Sequence, residues 1–203
     1  MRGVGMRAWI AVVLVVSFAS TAHAQQSDDD VSLELGFGTG YARALHGDLD
    51  FGDAAVSGTA RARVARHVAL EAQVGYWRHT ELRSYPNIRG GVYETRQTRS
   101  FPSVTFSVVA VSNRDTRIGP YGGAGVGVYY IQTRYVQSPS GGIPDSVSSR
   151  WNLGMGGQFF GGVDVRVAKH LKLFGEGRFA IESFQDPGSS GFRALGGVRV
   201  PIG

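Results

Sequence analysis

Few side chains in this 203-residue chain are of the kind that catalyse reactions, and their spacing is poor for it. There is no cysteine, which excludes disulfides, thiolate zinc sites and a thiol nucleophile. The five histidines are His23, His46, His67, His79 and His170, and none is followed by Ser two places on. His79, with Glu81 and Ser84 nearby, offers the one conceivable pairing, His79 as base and Ser84 as nucleophile. So isolated a signal points instead to an ordinary polar histidine. Asp28-Asp29-Asp30 lacks the spaced, glycine-turned ligands of a calcium loop. The glycine runs have no strand-to-helix setting and are not phosphate loops. No metal, no cofactor and no catalytic site is expected.

What remains is ionic pairing. Glu34, Arg61, Arg63, Glu71, Asp164, Arg166, Glu176, Arg178 and Arg199 all fall on the polar parity of alternating segments, as do Lys172, Arg193 and Glu182. The clearest case is Trp151 to Ser183. Trp151, Leu153, Met155, Phe159, Val163 and Val165 alternate with Asn152, Gly154, Gln158, Phe160, Asp164 and Arg166. The chain turns near Ala168-Lys169-His170, and the alternation resumes with Leu171, Leu173, Phe179 and Ile181 against Lys172, Glu176, Arg178 and Glu182. Period two means strands with two unlike faces.

Read in order, the pattern predicts eight strands. They begin at about 31–45, 54–66 and 68–78, continue at about 101–111 and 120–135, form the 151–183 hairpin, and end at about 191–202. Longer loops are expected at 46–53, 79–100, 137–149 and 184–190, and short turns at the other connections. Long loops on one rim and short turns on the other are the pattern of barrels that cross a membrane.

A soluble eight-stranded barrel has the same alternation with its apolar face inward. Three features argue for the reverse. Glycines such as Gly36, Gly38, Gly123 and Gly162 share parity with the charges, where they make room inside a narrow bore. The ions on that parity are of both signs, so they can pair in a dry interior. Tyr41, Tyr76, Tyr130, Trp151, Phe179 and Phe192 lie on the apolar parity near the long-loop end, where a ring belt meets headgroups. Arg78, Arg83, Arg89, Arg96, Arg99, Arg134 and Arg150 cluster at that same rim, a set suited to pairing with phosphates or another anionic partner.

The first 24 residues have the form of a signal peptide. Arg2 and Arg7 precede an apolar run from Ala8 to Phe18, and Thr21-Ala22-His23-Ala24 ends in a small-x-small pattern. The division expected is therefore 1–24 signal peptide and 25–203 barrel. The formal net charge of +5 includes those two arginines, and no Lys/Arg block indicates nucleic acid.

Three stretches carry a resemblance: Gly36-Phe37-Gly38-Thr39-Gly40-Tyr41, Gly119-Pro120-Tyr121-Gly122-Gly123-Ala124-Gly125 and Leu173-Phe174-Gly175-Glu176-Gly177-Arg178-Phe179. They resemble the small outer-membrane barrels of the OmpA-barrel and OmpX type, within the outer membrane protein β-barrel domain group. That resemblance implies an all-β, eight-stranded, antiparallel up-and-down transmembrane barrel in the outer membrane, a monomer with lipids and lipopolysaccharide as its partners. The chain departs from the family's pattern in ending Val200-Pro201-Ile202-Gly203 without a terminal aromatic, and no further domain is expected after the barrel. The expected role is structural or surface-interacting. A small OmpW-like channel is the alternative, and a lipid-modifying enzyme a more distant one.

Overall fold

The structure is a computed structural model that describes residues 32–45, 52–86, 92–112, 116–139, 146–183 and 189–202. The expected signal peptide, the acidic lead-in, His46 and Arg89 lie outside the described residues.

Eight antiparallel strands follow one another: β1 (Ser32–Ala44), β2 (Gly52–Ala65), β3 (Val68–Pro86), β4 (Val92–Val111), β5 (Ile118–Pro139), β6 (Ser146–Ala168), β7 (Leu171–Ser183) and β8 (Ser189–Ile202). Each pairs with its sequence neighbours, and β1 pairs with β8 from Leu33↔Ile202 to Ala44↔Gly191. The sheet thus closes and leaves no edge at the level of the bore, as a strand structure in hydrocarbon requires. Register shifts at Arg63/Ala65 and Arg166/Ala168 place a bulge beside two of the short turns.

The burial pattern decides which face looks inward. Arg178 and Arg199 are 0% exposed, whereas Val126 is 67% and Met155 69% exposed. Leu35, Phe37, Leu70, Phe106, Val108, Leu153, Phe159 and Ile181 are exposed in the same way. A water-soluble barrel would show the opposite arrangement. An apolar girdle around a polar interior is the arrangement of a barrel solvated by lipid.

Lumenal glycines give the interior its shape. A Cβ on Gly38 would come within 2.7 Å of Phe174 Cζ, one on Gly123 within 2.8 Å of Phe160 Cζ, and one on Gly162 within 2.6 Å of Tyr121 Oη. Three rings therefore lie across the bore because the opposing strand has no side chain there.

Two hairpins differ from the sequence expectation. The segment 79–100, expected as a loop, is strand on both sides of its tip, with β3 and β4 paired from Val68↔Ala110 to Pro86↔Val92. Likewise β5 and β6 remain paired up to Gln137↔Ser146. Pro86, Gly90 and Gly91 break the pattern only at the tip, while Thr80, Leu82, Tyr93 and Thr95 keep strand character below it. Among the described residues β2 meets β3 last at Ala55↔Trp77, and β7 meets β6 last at Met155↔Ser183. A four-stranded sheet, β3 to β6, therefore rises above a lower rim made by β1, β2, β7 and β8.

Candidate functional site

The interior carries one dominant feature, an ionic cluster spanning the bore in its short-turn half. Alternation on β2, β3, β6, β7 and β8 aims Arg61, Glu71, Asp164, Glu176, Arg178 and Arg199 at a common centre. Arg61 donates from Nε (2.9 Å) and Nη2 (2.6 Å) to one oxygen of Glu71. The other Glu71 oxygen accepts from Arg178 Nη2, and Arg178 Nε donates to Glu176. Arg199 donates to Asp164 through Nη1, and through Nη2 to Tyr121 Oη at 3.0 Å and Glu176 Oε2 at 3.4 Å. Arg61 Nη1 lies 3.5 Å from Asp164 Oδ2. Tyr121 Oη donates to Glu176 Oε2 at 3.0 Å. Below this, Lys172 Nζ pairs with Glu34.

Four cations thus meet four carboxylates. Burying ions costs free energy unless charge and hydrogen-bonding capacity are both answered, and here each carboxylate has at least one cation. The guanidinium faces are answered too. Arg178 lies 3.9 Å above the Phe160 ring centroid, and Arg199 4.1 Å above Phe174. Arg61 and Arg199 lie 4.4 and 4.6 Å from the Tyr121 centroid. These contacts are cation–π in geometry and exclude water from the guanidinium planes.

Of the nine residues read from sequence as a lumenal network, Glu34, Arg61, Glu71, Asp164, Glu176, Arg178 and Arg199 are brought together. Arg63 and Arg166 sit nearer the short turns. Arg63 donates to the carbonyls of Arg66 and Ser112, each at 3.1 Å. Both arginines line a small cavity of about 30 Å3 at that end. Tyr121 was missed as a member. Its only sequence signal is its phase, one residue out of step with the apolar Ala124, Val126 and Val128 on the same strand.

Above the cluster lies a neutral polar layer. Gln158 Nε2 donates to Thr105 Oγ1 at 2.8 Å and Ser107 Oγ at 3.1 Å. Ser57, Thr59 and Gln73 are buried alongside.

The aromatic residues picked from sequence are all on the outward parity. Tyr41, Tyr76, Tyr130, Trp151 and Phe192 are exposed, and Phe179 packs on Phe159 with centroids 5.1 Å apart. The rim arginines, expected on one loop surface, are instead divided by strand register. Arg83, Arg99 and Arg150 project from the inner face of the raised sheet, continuous with the bore, while Arg78, Arg96 and Arg134 project from its outer face. Arg83 Nε donates to Glu81, and this bond holds the Glu81 carboxyl below its ordinary pKa.

His79 and Ser84, the one conceivable catalytic pair, cannot act together. They fall on opposite faces of β3, five residues or about 17 Å apart along the strand. His79 Nδ1 lies 3.8 Å from Asp53 Oδ2 instead. Among the described residues no three His, Asp or Glu side chains gather in a geometry that could hold a metal.

The architecture matches known proteins in fold more than in sequence. Neisserial surface protein A superimposes with a TM-score of 0.58 at 15% identity, over 85% of this chain and 99% of the other. The N-terminal β-barrel domain of Pseudomonas aeruginosa OprF gives 0.49 at 13% identity, over 84% and 97%. Ail of Yersinia pestis, in complex with the heparin analogue sucrose octasulfate, gives 0.49 at 14%, over 83% and 97%. No curated protein sequence matches significantly. The family model of the outer membrane protein beta-barrel domain matches residues 10–193, and with an inward ionic cluster and an apolar girdle on a closed eight-stranded sheet, the chain belongs to that family of outer-membrane barrels.

Proposed function

We propose that the protein is a non-conducting, non-catalytic surface barrel: its bore is plugged, and it works through the sheet it raises above the membrane. The observation that carries this is the ionic cluster. Arg61, Arg178 and Arg199 reach from β2, β7 and β8 onto carboxylates of β3, β6 and β7, and Tyr121, Phe160 and Phe174 fill the space between them. An eight-stranded bore is just wide enough for side chains to fill.

In this reading residues 1–24 are removed on export, and the raised β3–β6 sheet faces the outside of the cell. Tyr41, Tyr76, Tyr130, Trp151, Phe179 and Phe192 mark the headgroup level. Arg78, Arg96 and Arg134, on the outer face beyond the Tyr76–Tyr130–Trp151 arc, meet the phosphates of surrounding lipopolysaccharide, and the barrel acts as a monomer. What supports the lipid contact is that these three guanidiniums share the parity of the lipid-facing residues.

Single-channel recording in planar bilayers tests the plug. No discrete conductance is expected, and a steady ion current through the purified protein would refute the reading. Binding to lipopolysaccharide tests the rim: charge reversal of Arg78, Arg96 and Arg134 together should weaken it, and undiminished binding would remove the lipid contact.

A further inference from the structure

The sheet that β3 to β6 raise above the lower rim has two free edges, and they are unlike. On one side β3 runs on from Arg78 to Pro86 beyond its last pair with β2, Ala55↔Trp77. On the other side β6 covers Ser146 to Gly154 before its first pair with β7, Met155↔Ser183. Each stretch is paired on one side, β3 to β4 and β6 to β5. Among the described residues no strand pairs with the far side of either.

An unpaired edge displays backbone N–H and C=O groups that accept another strand unless the sequence blocks it. The β3 edge is blocked. It carries Arg78, Glu81 and Arg83, it ends in Pro86, and Arg83 Nε is tied to Glu81. At its base His79 Nδ1 lies 3.8 Å from Asp53 Oδ2 on β2. The β6 edge has none of these devices. Ser146-Val147-Ser148-Ser149-Arg150-Trp151 holds no proline and one charge, its register with β5 is unbroken, and every residue from Ser146 to Leu153 is exposed. Both faces of this edge are therefore open, with Val147 and Trp151 on one and Ser148 and Arg150 on the other.

We propose that the β6 edge takes up an extended, acidic segment of an external protein as an added antiparallel strand. The proposal rests on the reading that the raised sheet faces out of the cell. Main-chain hydrogen bonds give such a strand its affinity, and alternate side chains give it selectivity. Residues directly opposite across an antiparallel pair lie on one face. Apolar residues of the added strand thus meet Val147 and Trp151, and its carboxylates meet Arg150. Charge sets the sign of the partner. From Tyr130 to Pro139 on β5 and from Ser146 to Gly154 on β6 the ions are Arg134 and Arg150, with no Asp or Glu. A second copy of the chain fits less well. Barrels in one bilayer point β6 the same way, so their edges meet in parallel, the less stable pairing, and bring arginine towards arginine.

Fluorescence anisotropy of a short labelled peptide alternating glutamate with valine, titrated with the protein in phosphatidylcholine nanodiscs, tests this. Saturable binding is expected, and a peptide with lysine in place of glutamate should bind at least about fivefold less well, the size of a cross-strand ion pair. Arg150→Glu should reverse that preference. Proline is placed singly, as Ser148→Pro and as Ser149→Pro. One of these neighbours turns its N–H away from β5, and that variant should lose binding while keeping the heat-dependent gel shift of a folded barrel. Ser84→Pro on the β3 edge should leave binding unchanged. No saturation up to about 1 mM peptide, equal binding of the two peptides, or binding indifferent to both prolines would overturn the proposal. So would dimers, formed without peptide, that either proline disperses, since they assign the edge to a second copy. Labelling of Ser148→Cys on intact cells by a membrane-impermeant maleimide separates the two levels. An unlabelled cysteine refutes the outward-facing sheet itself, whereas labelling without peptide binding refutes the added strand alone.

Discussion

Glu71→Gln is the sharpest probe of the interior. The carboxylate is fully buried and serves two arginines, Arg61 at 2.6 Å and Arg178 through its other oxygen. An ion pair with charge centres about 4 Å apart is worth about 4 kcal/mol at an effective dielectric near 20. The amide keeps the shape and one acceptor but removes both pairings. Arg178 retains Glu176, and Arg61 retains Asp164 at 3.5 Å, so neither cation is wholly orphaned. The expected loss is therefore about 3 kcal/mol, the lower end of the about 3–5 kcal/mol seen when one partner of a buried pair is removed. Urea titration in phospholipid vesicles, followed by tryptophan emission and by the heat-dependent gel shift of a folded barrel, measures it. A loss below about 1 kcal/mol, the size for exposed pairs, would mean that water reaches these groups and that the bore is not plugged.

Other substitutions probe neighbouring claims. Arg178→Ala removes the side chain that links Glu71 to Glu176 over the Phe160 ring and should give the silent barrel a measurable conductance; bilayers that stay silent would count against the plug. Gly38→Ala pushes a methyl group to 2.7 Å from Phe174 Cζ and should cost about 1–3 kcal/mol, partly recovered by adding Phe174→Leu. Failure of that rescue in urea titrations would show that the clash is not the cause. Val126→Arg places a charge on the lipid face and should cost about 2–4 kcal/mol if its height is near the midplane. An unchanged unfolding midpoint would contradict the outward orientation of that parity.

The parity of each strand was legible in the sequence because ions and oily side chains sort onto alternate positions, and only one sorting suits lipid outside. Which ions meet was not legible. Glu34 and Lys172 stand 138 residues apart, and Arg61 and Asp164 103 apart, so their meeting depends on closure and register. Tyr121 carries no formal charge, and its neighbours Pro120 and Gly122 give it no amphipathic frame. The rim arginines were found as a group, yet their division into two faces depends on β3–β6 continuing past the bore. Pro86, Gly90 and Gly91 concealed that continuation, because breakers at a hairpin tip look in sequence like a loop running along its whole length.

The pairing of strand seven with strand one through Lys172 and Glu34, and of strand eight with strand six through Arg199 and Asp164, bears on how the molecule is born. A chain halted after six strands would hold Arg61, Glu71 and Asp164 without Glu176, Arg178 and Arg199, its charges half answered and its sheet open. Such a half-made product has little reason to persist in hydrocarbon. The last two strands supply the missing hydrogen bonds and the missing counter-charges together, so the buried ions are fully answered only when the sheet closes.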